Sequence, residues 1–192
     1  MTTFGRMMAV SEHPDKEANV TNTQSDLDQE RADIIETLQA HRRFLRHTVD
    51  GLDDQAAAKR TTVSELCLGG LVKHVTEVED SWVRFILEGP GAMAGTDEAA
   101  MAAHAASFRM LEGETLGALL ARYEEVAART DELVATIPSL DVSHPLPEAP
   151  WFPPNARRSA RRVFLHIIAE TAQHAGHADI LRETLDGQKT MG

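Results

Sequence analysis

The stretch from Val163 to Leu185, VFLHIIAETAQHAGHADILRETL, limits the possible folds more than any other part of the chain. It places His166, Glu170, His174 and His177 at steps of four, four and three residues, the spacings that bring side chains onto one face of an α-helix. At about 100° per residue the four fall within about 80° of arc. Val163, Ile167, Ala178, Leu181 and Leu185 lie on or beside that arc. The ionisable groups therefore belong to the apolar face of a helix that packs against others. A carboxylate and three imidazoles are expensive to bury without partners, and a divalent metal ion is an economical partner for them. Asp186-Gly187 closes the helix, the glycine suiting a left-handed position just past its end.

Three further long helices are expected. Leu27 to Val49 carries Ile34, Leu38, Leu45 and Val49 at helical spacing, with Ser25 or Asp26 as cap and Gly51 as stop. Ser64 to Glu88 forms the second, ended by Gly89-Pro90. On its wheel Cys67, Leu71, Val78, Trp82 and Phe85 lie within about 80° of His74, so this histidine sits on a face that must be buried. The third spans Glu114 to Thr136 and stops before Pro138. Between them, 53–60 reads as a polar connector. Residues 89–113 read as a long segment that crosses the bundle or covers a site, with a short helix near Asp97–His104. The proline-rich 138–156 reads as irregular loop.

With no strand signal, the expected architecture is all-α: an antiparallel-type four-helix bundle with long connecting loops over residues 25–188. Residues 1–24 are expected to be a mobile extension and 189–192 a short tail. A net charge of −11 and the lack of a basic run speak against a nucleic-acid partner. One cysteine excludes a disulfide framework, and no apolar run reaches membrane-spanning length. A cytoplasmic protein is the expectation. Surplus amphipathic surface on the first two helices suggests a homodimer.

Glu170 and His174 stand one turn apart and can reach one ion, with His74 as the third ligand. Three protein ligands with one open position suit a catalytic zinc site, and the same nitrogen and oxygen donors suit Ni²⁺, Fe²⁺ or Mn²⁺. His166 and His177 are candidates for a fourth ligand, a supporting hydrogen-bond partner or a general base. Trp82, Phe85 and Met110 are candidates for an apolar wall around a bound thiol. Cys67 reads as a small core residue, His41 and His47 as surface residues, and His104 as incidental. The arginines at 157, 158, 161 and 162 read either as a solvated first turn or as an anion contact.

The segments LGGLVKHVTEVEDSWVRFIL and LHIIAETAQHAGHADILRETLDG resemble the DinB/YfiT-like superfamily of metal-binding four-helix bundles over roughly residues 26–187. Within it they resemble the actinobacterial branch of mycothiol-dependent enzymes, in a pattern similar to the N-terminal domain of mycothiol-dependent maleylpyruvate isomerase. Much of the superfamily carries His-x-x-x-His in the last helix, where this chain has Glu170 and His174. The resemblance implies one divalent ion held by His74, Glu170 and His174, with mycothiol as cosubstrate. The leading functional expectation is a metal-dependent thiol S-transferase acting on a small electrophile. A hydrolase using metal-bound water and a non-catalytic, dimeric stress-response or interaction protein are the alternatives.

Overall fold

The computed structural model describes residues 15–93 and 95–190, with side chains described from residue 27 onward. Four long helices form the bundle: α1 (Asp15–His47), α3 (Leu68–Glu88), α5 (Leu116–Thr136) and α6 (Ala160–Asp186). Two shorter ones are α2 (Asp54–Ala58) and α4 (Glu98–Ser107). Helix α1 packs against α5 and α6, and α3 packs against the same two, so the four close a ring. No helix among the described residues is long and apolar enough to cross a membrane.

Local chemistry explains the helix ends. Thr115 caps α5 and Ser159 caps α6, each accepting from a backbone amide three residues on. Cys67 caps α3, its sulfur accepting from the Gly70 amide at 3.4 Å, so the buried thiol has a capping role beyond its small apolar bulk. Gly187 adopts φ 83° at the end of α6, the left-handed position that glycine takes without cost.

Two apolar clusters form the core, and a polar layer separates them. Along α6, Ala160 to Ile167 belong to the first cluster and Ala175 to Leu181 to the second. Along α3 the order is reversed: Leu68 to Val75 lie in the second, Trp82 to Ile86 in the first. His74, Thr76, Glu79, Thr171 and His174 are buried at this junction. On one side the layer is closed by Arg42 of α1, which donates to Glu79 at 2.5 Å and to Asp131 of α5 at 2.6 Å. Glu79 is fully buried, and this pairing makes its charge tolerable there.

The clusters also reveal the chain direction. Helix α1 enters the first cluster with Ile34 and Leu38 and leaves through the second with Leu45, whereas α5 begins in the second with Leu116 and ends in the first with Val134. Thus α1 and α6 run one way, and α3 and α5 the other. The bundle is therefore of the expected antiparallel type, two helices against two, and its sequence of directions places α3 and α5 parallel to each other. Parallel helices of 21 residues each, roughly 30 Å long, require the connection between them to return the full length of the bundle. Residues 89–115, including α4, make that return.

Three other expectations change. Helix α1 begins at Asp15, ahead of the expected Leu27. Residues 15–24 of the expected extension are therefore helical, while 1–14 lie outside the described residues. The connector at 53–60 contains α2, capped by Asp53. The loop 138–156 is partly regular: β1 (Ser143–Pro145) pairs antiparallel with β2 (Arg157–Ser159), His144 opposite Arg158. Proline at the end of β1 costs no ladder bond because it pairs with Arg157 at a non-hydrogen-bonded position, the neighbouring Leu146 amide donating to the Ala156 carbonyl.

Candidate metal centre

Helical spacing on α6 and a crossing with α3 build the site. Glu170 and His174 sit one turn apart, and α3 runs antiparallel beside them with His74 facing inward. One ligand atom from each of the three lies within 4.8 Å of the others. The imidazoles of His74 and His174 meet edge-on at 4.8 Å, and His174 Nε2 lies 3.5 Å from a Glu170 carboxylate oxygen. Both histidines are buried, and Glu170 is half-buried.

The crossover supplies what surrounds His74. Phe108 stacks on its ring, centroids 3.9 Å apart and planes at 25°. Ser107 Oγ lies 2.9 Å from His74 Nδ1, and its hydroxyl proton is already donated to the His104 carbonyl at 2.7 Å. Ser107 must therefore accept from His74, which sets the proton on Nδ1 and leaves Nε2 as the free ligand atom. Burial pushes the His74 pKa down to about 4, aided by the neighbouring His174 and His104. The imidazole is thus neutral at pH 7, the form a metal requires.

His104, read from sequence as incidental, meets His74 edge-on at 5.4 Å and Phe108 at 5.3 Å. It is exposed. Neither it nor Ser107 and Phe108 was legible as part of a site, because helical spacing says nothing about where a crossover lands. The bridging contact depends on Gly70, where an added Cβ would fall 2.0 Å from the Phe108 carbonyl oxygen.

The other candidates fall around the triad in graded proximity. His177 Nδ1 lies 3.3 Å from His174 Nδ1, so one ring donates and the other accepts. Whichever tautomer His174 adopts finds a partner there. His166 Nε2 lies 3.7 Å from the other Glu170 oxygen, and its ring meets Trp82 edge-on at 4.9 Å. Burial lowers the His166 pKa against the pull of Glu170. Phe85 is fully buried between Trp82 and His144, so it backs Trp82 and offers no surface of its own. Met110 packs onto Gly69, more than a turn ahead of His74 on α3, in the second cluster. His41 sits beside Phe44 and His47 beside Asp50, both histidines on α1, which contributes no residue to the triad.

The donor set fits a divalent cation. The hydrogen bond from His174 holds the Glu170 carboxyl below the usual carboxylate range despite burial. A divalent cation held by both residues would take the place of that proton, the usual competition at metal ligands. Two neutral nitrogens and one carboxylate oxygen, with no thiolate, match zinc and its first-row neighbours.

Fold and site together define a helical bundle with a three-residue His/Glu/His constellation in its interior. The family model of mycothiol S-transferases (MST, mycothiol-S-transferase) matches residues 33–187, and the chain belongs to that family. No curated protein matches it.

Proposed function

We propose that the protein transfers the sulfur of mycothiol, or of a closely related small thiol, to an electrophilic carbon, with a divalent ion, zinc above its neighbours, held by His74, Glu170 and His174. The observation that carries this reading is the convergence of the three ligand atoms within 4.8 Å in a chain of the mycothiol S-transferase family. A divalent cation bound there supplies Lewis acidity, which makes a thiol ionise near neutral pH.

The chain's own residues do the rest. Ser107 and Phe108 orient His74, and His177 orients His174. His166, whose pKa burial lowers so that it is neutral at pH 7, takes the thiol proton in this reading and passes it to solvent. The sulfur lone pair then forms the new C–S bond as the leaving group departs with the electrons of the bond it breaks. Trp82 and Phe108 provide apolar walls that keep water from competing.

The test is conjugation of mycothiol with 1-chloro-2,4-dinitrobenzene, followed by absorbance. Zinc-loaded protein accelerates the reaction, chelator-stripped protein does not, and His174→Ala abolishes it with the helical content retained. An unaltered rate after stripping contradicts the metal role, and no acceleration with any small thiol contradicts transfer.

A further inference from the structure

The polar row on α6 does not end at His166. One turn earlier stands Arg162, and just before the helix, on β2, stands Arg158. In this chain of net charge −11 most arginines face a carboxylate: Arg42 holds Glu79, Arg122 and Arg129 share Asp80, Arg161 holds Glu30. Neither Arg158 nor Arg162 makes such a pair among the described residues. Arg158 is held instead by aromatics, its guanidinium carbon 4.9 Å from the Trp82 ring centre and 5.7 Å from that of Phe152. Its Nη1 is buried and has no hydrogen-bond partner. A buried, unpaired guanidinium nitrogen is costly unless something completes it. Burial and the nearby Arg162 cation both pull the Arg158 pKa down, so the place favours an incoming negative charge.

The place of this unpartnered nitrogen matters. The Arg158 guanidinium lies over the Trp82 ring, which also meets His166 edge-on, and His166 faces Glu170. The unpartnered Nη1 therefore belongs to a side chain that shares Trp82 with His166 and packs on Phe152. We propose that Arg158, assisted by Arg162, binds a carboxylate on the electrophilic cosubstrate, so that the preferred electrophile is a planar, unsaturated or aromatic carboxylic acid. A carboxylate fits the planar fork of a guanidinium through two parallel hydrogen bonds, and the rings of Trp82 and Phe152 beside it suit a flat body. The role of the bound molecule as electrophile rests on the transferase reading, but the binding itself involves neither metal nor thiol and is measured without them.

The experiment uses the full chain, free of metal, in a Trp151→Phe background. Trp82 is then the only tryptophan, since the chain has two. Benzoate, benzamide and phenyl phosphate are titrated, followed by Trp82 fluorescence and calorimetry. Benzoate is expected to bind at least about tenfold more tightly than benzamide, the factor one charge-assisted hydrogen bond supplies. Arg158→Gln is expected to erase that preference, and Arg158→Lys, which keeps the charge without the fork, to retain only part of it. Equal binding of benzoate and benzamide to the unsubstituted Arg158 protein overturns the proposal without recourse to any variant. So does undiminished benzoate binding in Arg158→Gln, or tight binding of phenyl phosphate with none of benzoate. Transfer to the uncharged dinitrobenzene above separately decides the transferase reading.

Discussion

His74 is held from one side by a hydroxyl and on its face by an aromatic ring, and each contact has a measurable consequence. Ser107 is the acceptor that keeps the proton on Nδ1. Ser107→Ala is expected to weaken zinc binding about 10- to 100-fold, the usual effect of losing the outer partner of a ligand histidine, as measured by competition with a chromophoric chelator. A second consequence concerns acid. In the unfolded chain a histidine gains its proton near pH 6.5, whereas folded His74 holds out until about 4. Between those values the folded state binds fewer protons. The stability supplied by a neutral, buried His74 is therefore present above pH 6.5 and lost as pH falls towards 4. Urea midpoints of the metal-free protein should fall across that window, and His74→Phe should flatten the fall. The triad itself was legible in the sequence because Glu170 and His174 obey helical spacing and His74 lies on an apolar wheel. Ser107, Phe108 and His104 were not, because they reach His74 through the path of the crossover and not through any periodicity.

At the scale of elements, the first turn of α3 is the tightest joint of the site. The backbone at Gly70 lies against the Phe108 carbonyl, which lets the end of α4 settle over His74. Gly70→Ala forces a methyl group 2.0 Å from that oxygen, and the strain should cost about 1–3 kcal/mol of stability in urea denaturation. It should also lift Phe108 and Ser107 off His74, so zinc affinity should fall together with stability. Full affinity in a destabilised variant would show the two to be independent. Helix ends were legible from stops such as Gly51, Gly89-Pro90 and Gly187. The hairpin of Ser143–Pro145 and Arg157–Ser159 was not: three-residue strands leave no alternation to detect, and the prolines around them point to loop.

For the whole molecule, the four long helices were legible from the sequence but their directions were not. Periodicity reports which face of a helix is buried, not whether its neighbour runs with it or against it. The length of 89–115 was the available hint, since a return along a 21-residue helix needs such a segment. The apolar surface of α3 is used within the chain, so a homodimer, if formed, must draw on another face. The outer groove between α1 and α6, in which Ile34, Leu165 and Ile168 lie among Gln29, Glu30, Asp33, Thr37 and Arg161, is the surface we expect a second copy to cover. Light scattering should then give twice the 21.1 kDa chain mass, and a monomer mass at high concentration would contradict this. If His74, Glu170 and His174 hold a divalent ion that receives a thiol, titrating the cobalt-loaded protein with mycothiol should give sulfur-to-metal charge transfer in the near ultraviolet. The band should rise to saturation at one thiol per chain and be absent in His174→Ala. Fully cobalt-loaded protein that shows no band with mycothiol or any other small thiol would contradict the account.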